Sequence, residues 1–233
     1  TALSGKKMRI TSEADSICSI SEQIITPLSS GRCILRASTI ADKKFKAKSQ
    51  SFSLDIRNSN SFEINVESQY QIDQAGPDLT QFSSAGLLIE YSSETTDVCQ
   101  ISVTKVTLSR IGFCIISGRQ LGNSFVDNAA VKVARFKVIR ENEISFTNPG
   151  SLSLKVKSIQ LAGVSSSGLT VIYKTMTPNT CLLSNSVLSL LAVGTCTVVA
   201  SQSGDEFTLA AKDVSQSFIL SNDRVLSDQP DSL

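Results

Sequence analysis

The six cysteines of this chain occur as three pairs with one spacing. The members of each pair lie 15 residues apart, and the first cysteines of successive pairs are separated by 81 and then 82 residues. The pairs are Cys18 with Cys33, Cys99 with Cys114, and Cys181 with Cys196. Independent segments would not keep such an interval, so one structural unit of about eighty residues is repeated along the chain.

Other residues recur with the cysteines. A glycine stands two residues before each second cysteine, an aromatic residue follows that cysteine, and each unit closes on an alternating run around a further Phe. The glycines are Gly31, Gly112 and Gly194, the first aromatics Phe45, Phe125 and Phe207, and the closing ones Phe52, Phe136 and Phe218. We expect repeat 1 at 1–57, repeat 2 at 58–140, repeat 3 at 141–220, and a tail at 221–233.

Apolar and polar residues alternate in several short runs, which is typical of strands with one buried and one solvated face. The clearest runs are Phe62–Val66, Val103–Leu108, Val131–Phe136 and Leu152–Val156. Turn residues separate them, and no stretch keeps a helical period over three turns. The pattern predicts an all-β protein built of sandwiches or barrels.

The cysteine pairs predict disulfides. Six cysteines allow 15 connectivities, but the same chemistry should occur in each repeat, which favours Cys18–Cys33, Cys99–Cys114 and Cys181–Cys196. A structural zinc site would require CxxC spacing, and a catalytic cysteine would require a histidine base, which this chain lacks. Reduced, buried cysteines remain the alternative. Paired oxidised cysteines indicate an oxidising compartment.

The third repeat resembles a known family. The stretch from Gly194-Thr-Cys to Gly204, followed by Phe207 and by Ser215-Gln-Ser-Phe-Ile-Leu220, resembles the closing half of bacterial immunoglobulin-like tandem repeats of large secreted and surface proteins. The resemblance extends to all three repeats and is loosest in the second. It implies tandem immunoglobulin-like β-sandwiches with one intradomain disulfide each, in which the bond links the two sheets.

Composition argues against several functions. The chain has 22 Lys and Arg against 21 Asp and Glu, with no histidine or tryptophan. No aromatic residues interleave with the lysines of repeat 1, so nucleic-acid binding is not expected. Neither a transmembrane run nor a signal peptide is visible. No residues form a catalytic, cofactor-binding or metal-binding motif, and we predict that the chain is not an enzyme.

The two ends of the chain differ from the internal repeat boundaries. Before its cysteine pair, repeat 3 has two candidate strands that have no counterpart in repeat 1. The tail resembles the start of another unit, because Gln229–Leu233 matches Asn148–Leu152. One explanation is a stretch of a longer array, and the other is a tail that completes repeat 1 of the next chain. Repeat 1 is basic and residues 141–233 are acidic, which suits attraction between subunits or is chance variation.

These observations predict an extracellular structural protein, a stalk or filament subunit of a bacterial cell surface that polymerises head to tail by strand complementation. Its expected partners are other copies of itself or neighbouring immunoglobulin-like repeats. The alternative is an adhesin module that binds a glycan or host protein. Residues 69–85 are expected to form a longer loop in repeat 2, which is either a tolerated insertion or, for the adhesin, the place where a partner contact would lie.

Overall fold

The computed structural model describes Gly5 and Lys7–Asn222. The described chain is almost entirely β-structure, and its single helix is three residues long. That helix is far too short to cross a bilayer, so the described residues contain no candidate membrane-spanning helix. The residues 223–233, on which the prediction of an exchange tail depends, lie outside the described part.

Repeat 1 forms two small sheets. Its strands are β1 (Arg9–Ser12), β2 (Cys18–Ser21), β3 (Ile24–Pro27), β4 (Gly31–Thr39) and β5 (Lys48–Ile56). The first sheet has the antiparallel order β1-β4-β5, and β2 and β3 pair as a hairpin. Its fully buried core consists of Cys18, Cys33 and Leu35. Repeat 1 is therefore a thin sandwich with a small interior.

Repeat 2 adds a leading strand to the same arrangement. Its strands are β6 (Gln69–Gln71), β7 (Glu90–Ser93), β8 (Cys99–Ser102), β9 (Lys105–Leu108), β10 (Gly112–Gln120) and β11 (Ala129–Ile139). The main sheet has the order β6-β11-β10-β7, with β6 parallel to β11, and β8 pairs with β9. The segment before β7 also makes a bridge from Asp78 to Lys105 on β9.

Repeat 3 has the fullest set of elements. They are β12 (Ile144–Ser145), β13 (Leu152–Ser153), the 3₁₀ helix Leu154–Val156, β14 (Ser158–Gln160), β15 (Val164–Ser165), β16 (Ile172–Thr175), β17 (Cys181–Ser184), β18 (Val187–Leu190), β19 (Gly194–Ser201) and β20 (Val214–Ser221). One sheet has the order β13-β20-β19-β16, with β13 parallel to β20, and faces β14-β18-β17. A short pair, β12-β15, completes the repeat.

The core of repeat 3 shows why the sandwich forms. Alternate residues of β19 and β20 turn inward, and the leading segment and the second sheet pack against them. The buried cluster contains Phe146, Leu161, Cys181, Leu188, Leu190, Cys196, Val198, Ala200, Phe218 and Leu220. Two of these residues, Phe146 and Leu161, come from the leading segment. That segment therefore supplies one wall of the core.

The expectation of a strand over Val103–Leu108 is wrong at its first two residues. Val103 and Thr104 form the tight turn between β8 and β9, and Val103 has φ +58°. Glu22 and Asn185, which occupy the same position after the first cysteine of their repeats, also have positive φ. A two-residue hairpin requires such a backbone because its twist must match that of the flanking strands.

One further strand prediction was wrong and another was too long. Phe62–Val66 alternates between more and less buried residues as expected, but it makes no ladder hydrogen bonds that define a strand. Leu152–Val156 is a strand only at its first two residues, because Ser153 accepts a hydrogen bond from the backbone N–H of Lys155 and begins the 3₁₀ helix.

The recurring glycine before the second cysteine has a conformational cause. Gly31, Gly112 and Gly194 have φ of +145°, +147° and +144°, values that side chains other than glycine rarely adopt. Each begins the strand that carries the second cysteine. The sequence signature Gly-x-Cys is therefore the start of this strand.

The all-β fold with one intradomain disulfide in each sandwich is confirmed. The bonds are Cys18–Cys33, Cys99–Cys114 and Cys181–Cys196, and each connects the hairpin sheet to the main sheet of its repeat. The chain divides into two compact units. One contains repeat 1 and most of repeat 2, and the other contains repeat 3 with Ser68–Ala75, Leu108–Phe113 and the residues from Lys137 onward.

Candidate functional site

The cysteines singled out in the sequence are structural residues. All six are fully buried and bonded, and none of them is free. A hydroxyl lies 3.3 Å from the sulfur of Cys18 and of Cys99, from Ser12 and Ser93 respectively. Among the described residues, no cluster of three or more His, Cys, Asp or Glu could hold a metal ion. Any functional site must therefore lie elsewhere.

The most distinctive surface lies on repeat 1, at positions that are core in the other repeats. Leu54 lies opposite Cys33 in the ladder, as Phe218 lies opposite Cys196, yet Leu54 is 48% exposed and Phe218 only 4%. Two residues earlier on the same strand, Phe52, opposite Leu35, is 45% exposed. The ladder position of Leu54 and Phe218 is the same, but the environment differs. We call Gln50–Ile56, on the free side of β5, the open edge.

The hairpin sheet of repeat 1 shows the same difference. Ile25 on β3 is exposed, but the residues at its position in repeats 2 and 3, Val106 and Leu188, are buried. In repeat 3, β14 pairs with the strand that carries Leu188. In repeat 2, the Asp78 bridge occupies this side. No described residue occupies it in repeat 1.

The exposed positions share one physical cause. In repeats 2 and 3 a leading segment runs parallel to the last strand, through β6 beside β11 and β13 beside β20. It also places an aromatic ring on the tyrosine of the following strand. Phe62 meets Tyr91 at 6.4 Å between ring centroids, and Phe146 meets Tyr173 at 5.3 Å, both edge to face.

In repeat 1 the position of these tyrosines is occupied by Ile10, and a cavity opens beside it. The cavity has a volume of about 610 Å³. Its lining includes Met8, Ile10 and Ile20 as apolar residues and Asp15 and Glu22 as acidic ones. An apolar side chain entering from a leading segment would meet Ile10 where Phe146 meets Tyr173. The cavity lies beside β1, at the sheet edge opposite β5.

The edge of repeat 3 shows how a leading segment is held. The side-chain amide of Gln216 donates to the carbonyl of Phe146 at 2.9 Å, and that of Asn148 donates to the carbonyl of Ser217 at 2.9 Å. Leu152 then lies beside Leu220 in parallel register. Side-chain amides therefore bridge the two chains before the short ladder begins.

A second recurring device lies at the turn after the penultimate strand. In repeat 2 the backbone N–H of Asn58 donates to the carbonyl of Phe125, and Arg57 forms an ion pair with Asp127 at 2.5 Å. In repeat 3 the N–H of Arg140 donates to the carbonyl of Phe207. In repeats 2 and 3 this turn thus anchors the chain that enters the repeat.

The ring of Phe207 also makes an aromatic contact. It meets Phe113 edge to face at 5.1 Å, and the ammonium of Lys137 lies 5.8 and 5.9 Å from the two ring centroids. The corresponding residue of repeat 1, Phe45, is exposed. Its turn is nevertheless formed, because the carboxylate of Asp42 accepts the backbone N–H of Phe45 at 2.8 Å.

The charged groups of these surfaces have identifiable effects. The hydrogen bond from Arg32 lowers the pKa of Asp55, on the open edge, below the ordinary value. The backbone N–H of Phe207 donates to Asp205 and lowers the pKa of that carboxyl in the same way. Burial raises the pKa of Tyr91. Both carboxylates are exposed, so these contacts fix local geometry more than they stabilise the fold.

Residues 69–85 of repeat 2 are largely irregular, as expected, but paired backbone holds them at three places. They begin with β6 and continue through the bridge at Asp78 and a bridge between Phe82 and Leu88. These residues belong to the leading segment of repeat 2. Sequence reasoning did not identify Phe52, Leu54 and Ile25 as exposed residues. For Ile25 the available signal was its equivalence to Leu188, since each follows the first cysteine of its repeat by seven residues.

Comparison with known proteins yields fold-level likeness only. The sequence matches no family model, and no curated protein matches it. A crystal structure of Drosophila N-cadherin EC1-4 is 9% identical with a TM-score of 0.32, covering 94% of this chain and 67% of that chain. Domains 4–9 of the surface layer protein SbsC are 11% identical with a TM-score of 0.22, covering 93% of this chain and 39% of that chain.

A third solved structure is a SusE-like, surface-located polysaccharide-binding protein from Bacteroides thetaiotaomicron. It is 9% identical with a TM-score of 0.24, and the match covers 91% of this chain and 54% of that one. All three structures contain extracellular or surface domains. The TM-scores are below 0.5, so the assignment of the fold depends on the strands and disulfides of this chain itself.

Proposed function

We propose that this chain is a structural extracellular repeat protein, a stalk or filament subunit of a bacterial cell surface. The observation that carries the proposal is the threefold recurrence of one disulfide-bonded sandwich. Disulfides of this kind persist in oxidising, extracellular surroundings. Repetition of a stapled module extends a protein without adding a new active site, which suits a mechanical role.

The family and the domain boundaries belong to the same proposal. The motif around Gly194-Thr-Cys and Ser215–Leu220 supports membership of the bacterial immunoglobulin-like repeats. We assign repeat 1 to residues 1–57, repeat 2 to 58–140 and repeat 3 to 141–220. The anchoring of Asn58 and Arg140 by the turns of repeats 2 and 3 supports boundaries close to these residues.

Assembly would proceed head to tail by strand complementation. The open edge of repeat 1 offers unpaired backbone groups and apolar side chains, the two features that accept an added strand. The tail, residues 221–233, has the sequence pattern of a leading segment. Each chain would thus complete repeat 1 of its neighbour.

Electron microscopy of the purified native material tests this function. We expect filaments or extended multimers, which shorten to single chains when residues 223–233 are deleted. Circular dichroism and disulfide mapping of the deleted protein control for folding. Polymer length that does not change on deletion would exclude the tail as the link.

A second function is favoured by one observation on repeat 2. Phe82 and Leu88 face solvent as a bridged pair, and both are exposed. A paired apolar surface of this kind suits an adhesin that binds a glycan or a host protein. A glycan array and a pull-down, each compared with the Phe82→Ser variant, test it. Binding that the substitution abolishes would support adhesion.

A further inference from the structure

The main sheet of repeat 3 ends on one side in a strand with a single neighbour. The sheet has the order β13-β20-β19-β16, so among the described residues β16 is paired only with β19. Just after β16, the backbone N–H of Met176 donates to the carbonyl of Thr197 on β19, which sets the alternation of the ladder. Alternate residues of an antiparallel strand bond to the partner, so the N–H and C=O groups of Tyr173 and Thr175 face the free side.

Repeat 2 closes the same edge near its start. There the backbone N–H of Ile89 donates to the carbonyl of Gln81, and Phe82 forms a bridge with Leu88. The counterpart of Ile89 in repeat 3 is Val171, because each precedes the first cysteine of its repeat by ten residues. In the described part of repeat 3, no such backbone bond closes the edge at Val171. The edge is therefore open in repeat 3 where it is closed in repeat 2.

Two adjacent cavities lie along the open side of β16, between this strand and the hairpin of β17 and β18. Their volumes are about 420 and 430 Å³, and both are lined by Val171 and Tyr173. The described residues that line them are all uncharged, and the apolar ones include Leu161, Val164, Leu169, Val171, Ile172 and Leu183. The cavity beside β1 of repeat 1 differs, because Arg9, Asp15 and Glu22 belong to its lining. The groove of repeat 3 thus suits apolar side chains.

The outer face of the same edge carries one charge. Lys174 is the only charged residue of β16, and it is exposed between Ile172 and Met176, which are 61% and 56% exposed. No ion pair within the described chain includes Lys174. A lysine on an edge strand opposes indiscriminate strand pairing, whereas an acidic residue on the neighbouring strand pairs with it favourably.

We propose that the β16 edge of repeat 3 is a docking site for an extended peptide segment of another protein, which joins the main sheet as an added strand. The backbone groups of Val171, Tyr173 and Thr175 bond to the peptide. Its inward side chains are apolar and enter the two cavities, and an acidic side chain on its outward face pairs with Lys174. The site goes beyond the filament function proposed above and does not depend on it.

A second copy of this chain fits the edge less well than a separate peptide does. Two β16 strands side by side would bring two Lys174 ammonium groups onto strands of four residues, and like charges on neighbouring strands are destabilising. The inward Tyr173 of each copy already packs on its own Phe146, so neither copy would fill the cavities of the other. A peptide with free apolar side chains satisfies both requirements.

Peptide titration tests the chemistry of the partner. The probes are three fluorescent eight-residue peptides with Val at alternate positions and Thr between them, in which one central Thr is replaced by Glu, Ser or Lys. Fluorescence anisotropy with the full-length chain should give the tightest binding for Glu and the weakest for Lys, with steps of roughly 1.5- to 5-fold, the effect of one exposed ion pair. Lys174→Glu should reverse this order. The matched control is Lys155→Glu, an exposed lysine after β13 at the opposite edge of the sheet.

Amide hydrogen exchange by NMR tests strand addition directly. The Glu peptide should slow exchange roughly ten-fold or more at Val171, Tyr173 and Thr175, whose N–H groups face the free side, and should leave Ile172 and Lys174 unchanged. Val171→Pro removes one of these donors at the start of the strand, where proline is tolerated. It should weaken the Glu peptide by roughly 3- to 10-fold, the effect of one neutral hydrogen bond. Circular dichroism and disulfide mapping of this variant control for folding.

Each contrary result removes a defined part of the proposal. Slowed exchange at neighbouring residues alike would overturn strand addition, and an order of affinities unchanged by Lys174→Glu would overturn the acidic partner. Absence of binding by all three peptides would remove the site. Dimerisation of the chain alone that slows the same alternate amides would assign the edge to a second copy and overturn the choice of a separate peptide.

Discussion

The phenylalanines of the last strands offer the sharpest test of the open edge. Phe218 lies in the closed core of repeat 3, opposite Cys196, whereas Phe52, opposite Leu35 on the last strand of repeat 1, has 45% of its surface exposed. Replacing Phe218 by Ala removes a buried ring and leaves a cavity, for which we expect a loss of about 4 kcal/mol in the unfolding free energy of repeat 3.

The same substitution in repeat 1 should cost much less. Only about half of the Phe52 side chain is buried, and its removal leaves no closed cavity because one side is open to solvent. Half of the transfer free energy of a Phe side chain gives an expected loss in unfolding free energy of about 1–1.5 kcal/mol. The difference exceeds about 2 kcal/mol, or roughly 30-fold in the equilibrium constant for opening. Phe136→Ala, in repeat 2, should resemble the larger effect.

Native-state hydrogen exchange with mass spectrometry resolves each repeat by its own peptides. The chain is measured at high dilution, with exchange followed in β4–β5 for Phe52→Ala and in β19–β20 for Phe218→Ala. Equal losses in the two variants would refute the reasoning, because Phe52 would then be buried in solution. A penalty for Phe52→Ala that grows with protein concentration would indicate that a second chain covers the ring.

Three further predictions concern repeat 3. The double variant Cys181→Ala/Cys196→Ala removes a bond across 15 residues and should lower the unfolding free energy by about 3 kcal/mol in a denaturant titration; a loss below about 1 kcal/mol would contradict it. Gly204→Ala places a Cβ atom 2.2 Å from a backbone carbonyl oxygen, while the Cβ of Gly168→Ala meets no atom within 4 Å at a similar positive φ. We therefore expect Gly204→Ala to lower the unfolding free energy by about 2 kcal/mol more than Gly168→Ala, as measured by thermal unfolding. The pKa of Asp205 is lowered in the folded state, so its ionised carboxylate stabilises the fold above the ordinary pKa, and this effect is lost as the pH falls below about 4. An NMR titration should therefore give a pKa below the ordinary value. The Asp205→Asn variant should lack this part of the acid dependence of stability.

Much of the architecture was predictable because it depends on local, repeated signals. Cysteine spacing determined the repeat and, with its symmetry, the pairing that the structure contains. Alternation located the last strand of each repeat, where a long ladder follows the pattern. The errors arose at Val103 and at Leu154–Val156, where the same alternation continues through a turn and a 3₁₀ helix. Hydrophobic alternation does not encode hydrogen-bond partners, so it could not reveal these breaks.

The candidate site was only partly predictable. The kinship of residues 229–233 with residues 148–152 was visible in the sequence. That Phe52 and Leu54 are exposed while Phe218 and Leu220 are buried could not be read from their near-identical surroundings in the chain. Ladder neighbours far away in sequence decide it.

The sequence by itself therefore determined the repeat length, the cysteine pairing and the all-β character, since each depends on residues that lie close together in the chain. Only the tertiary structure decided which faces are core and which are open. Burial depends on whether a distant segment, such as β13 beside β20, lies against a strand, and the same motif on β5 has no such neighbour among the described residues. Identical local sequences thus acquire different roles.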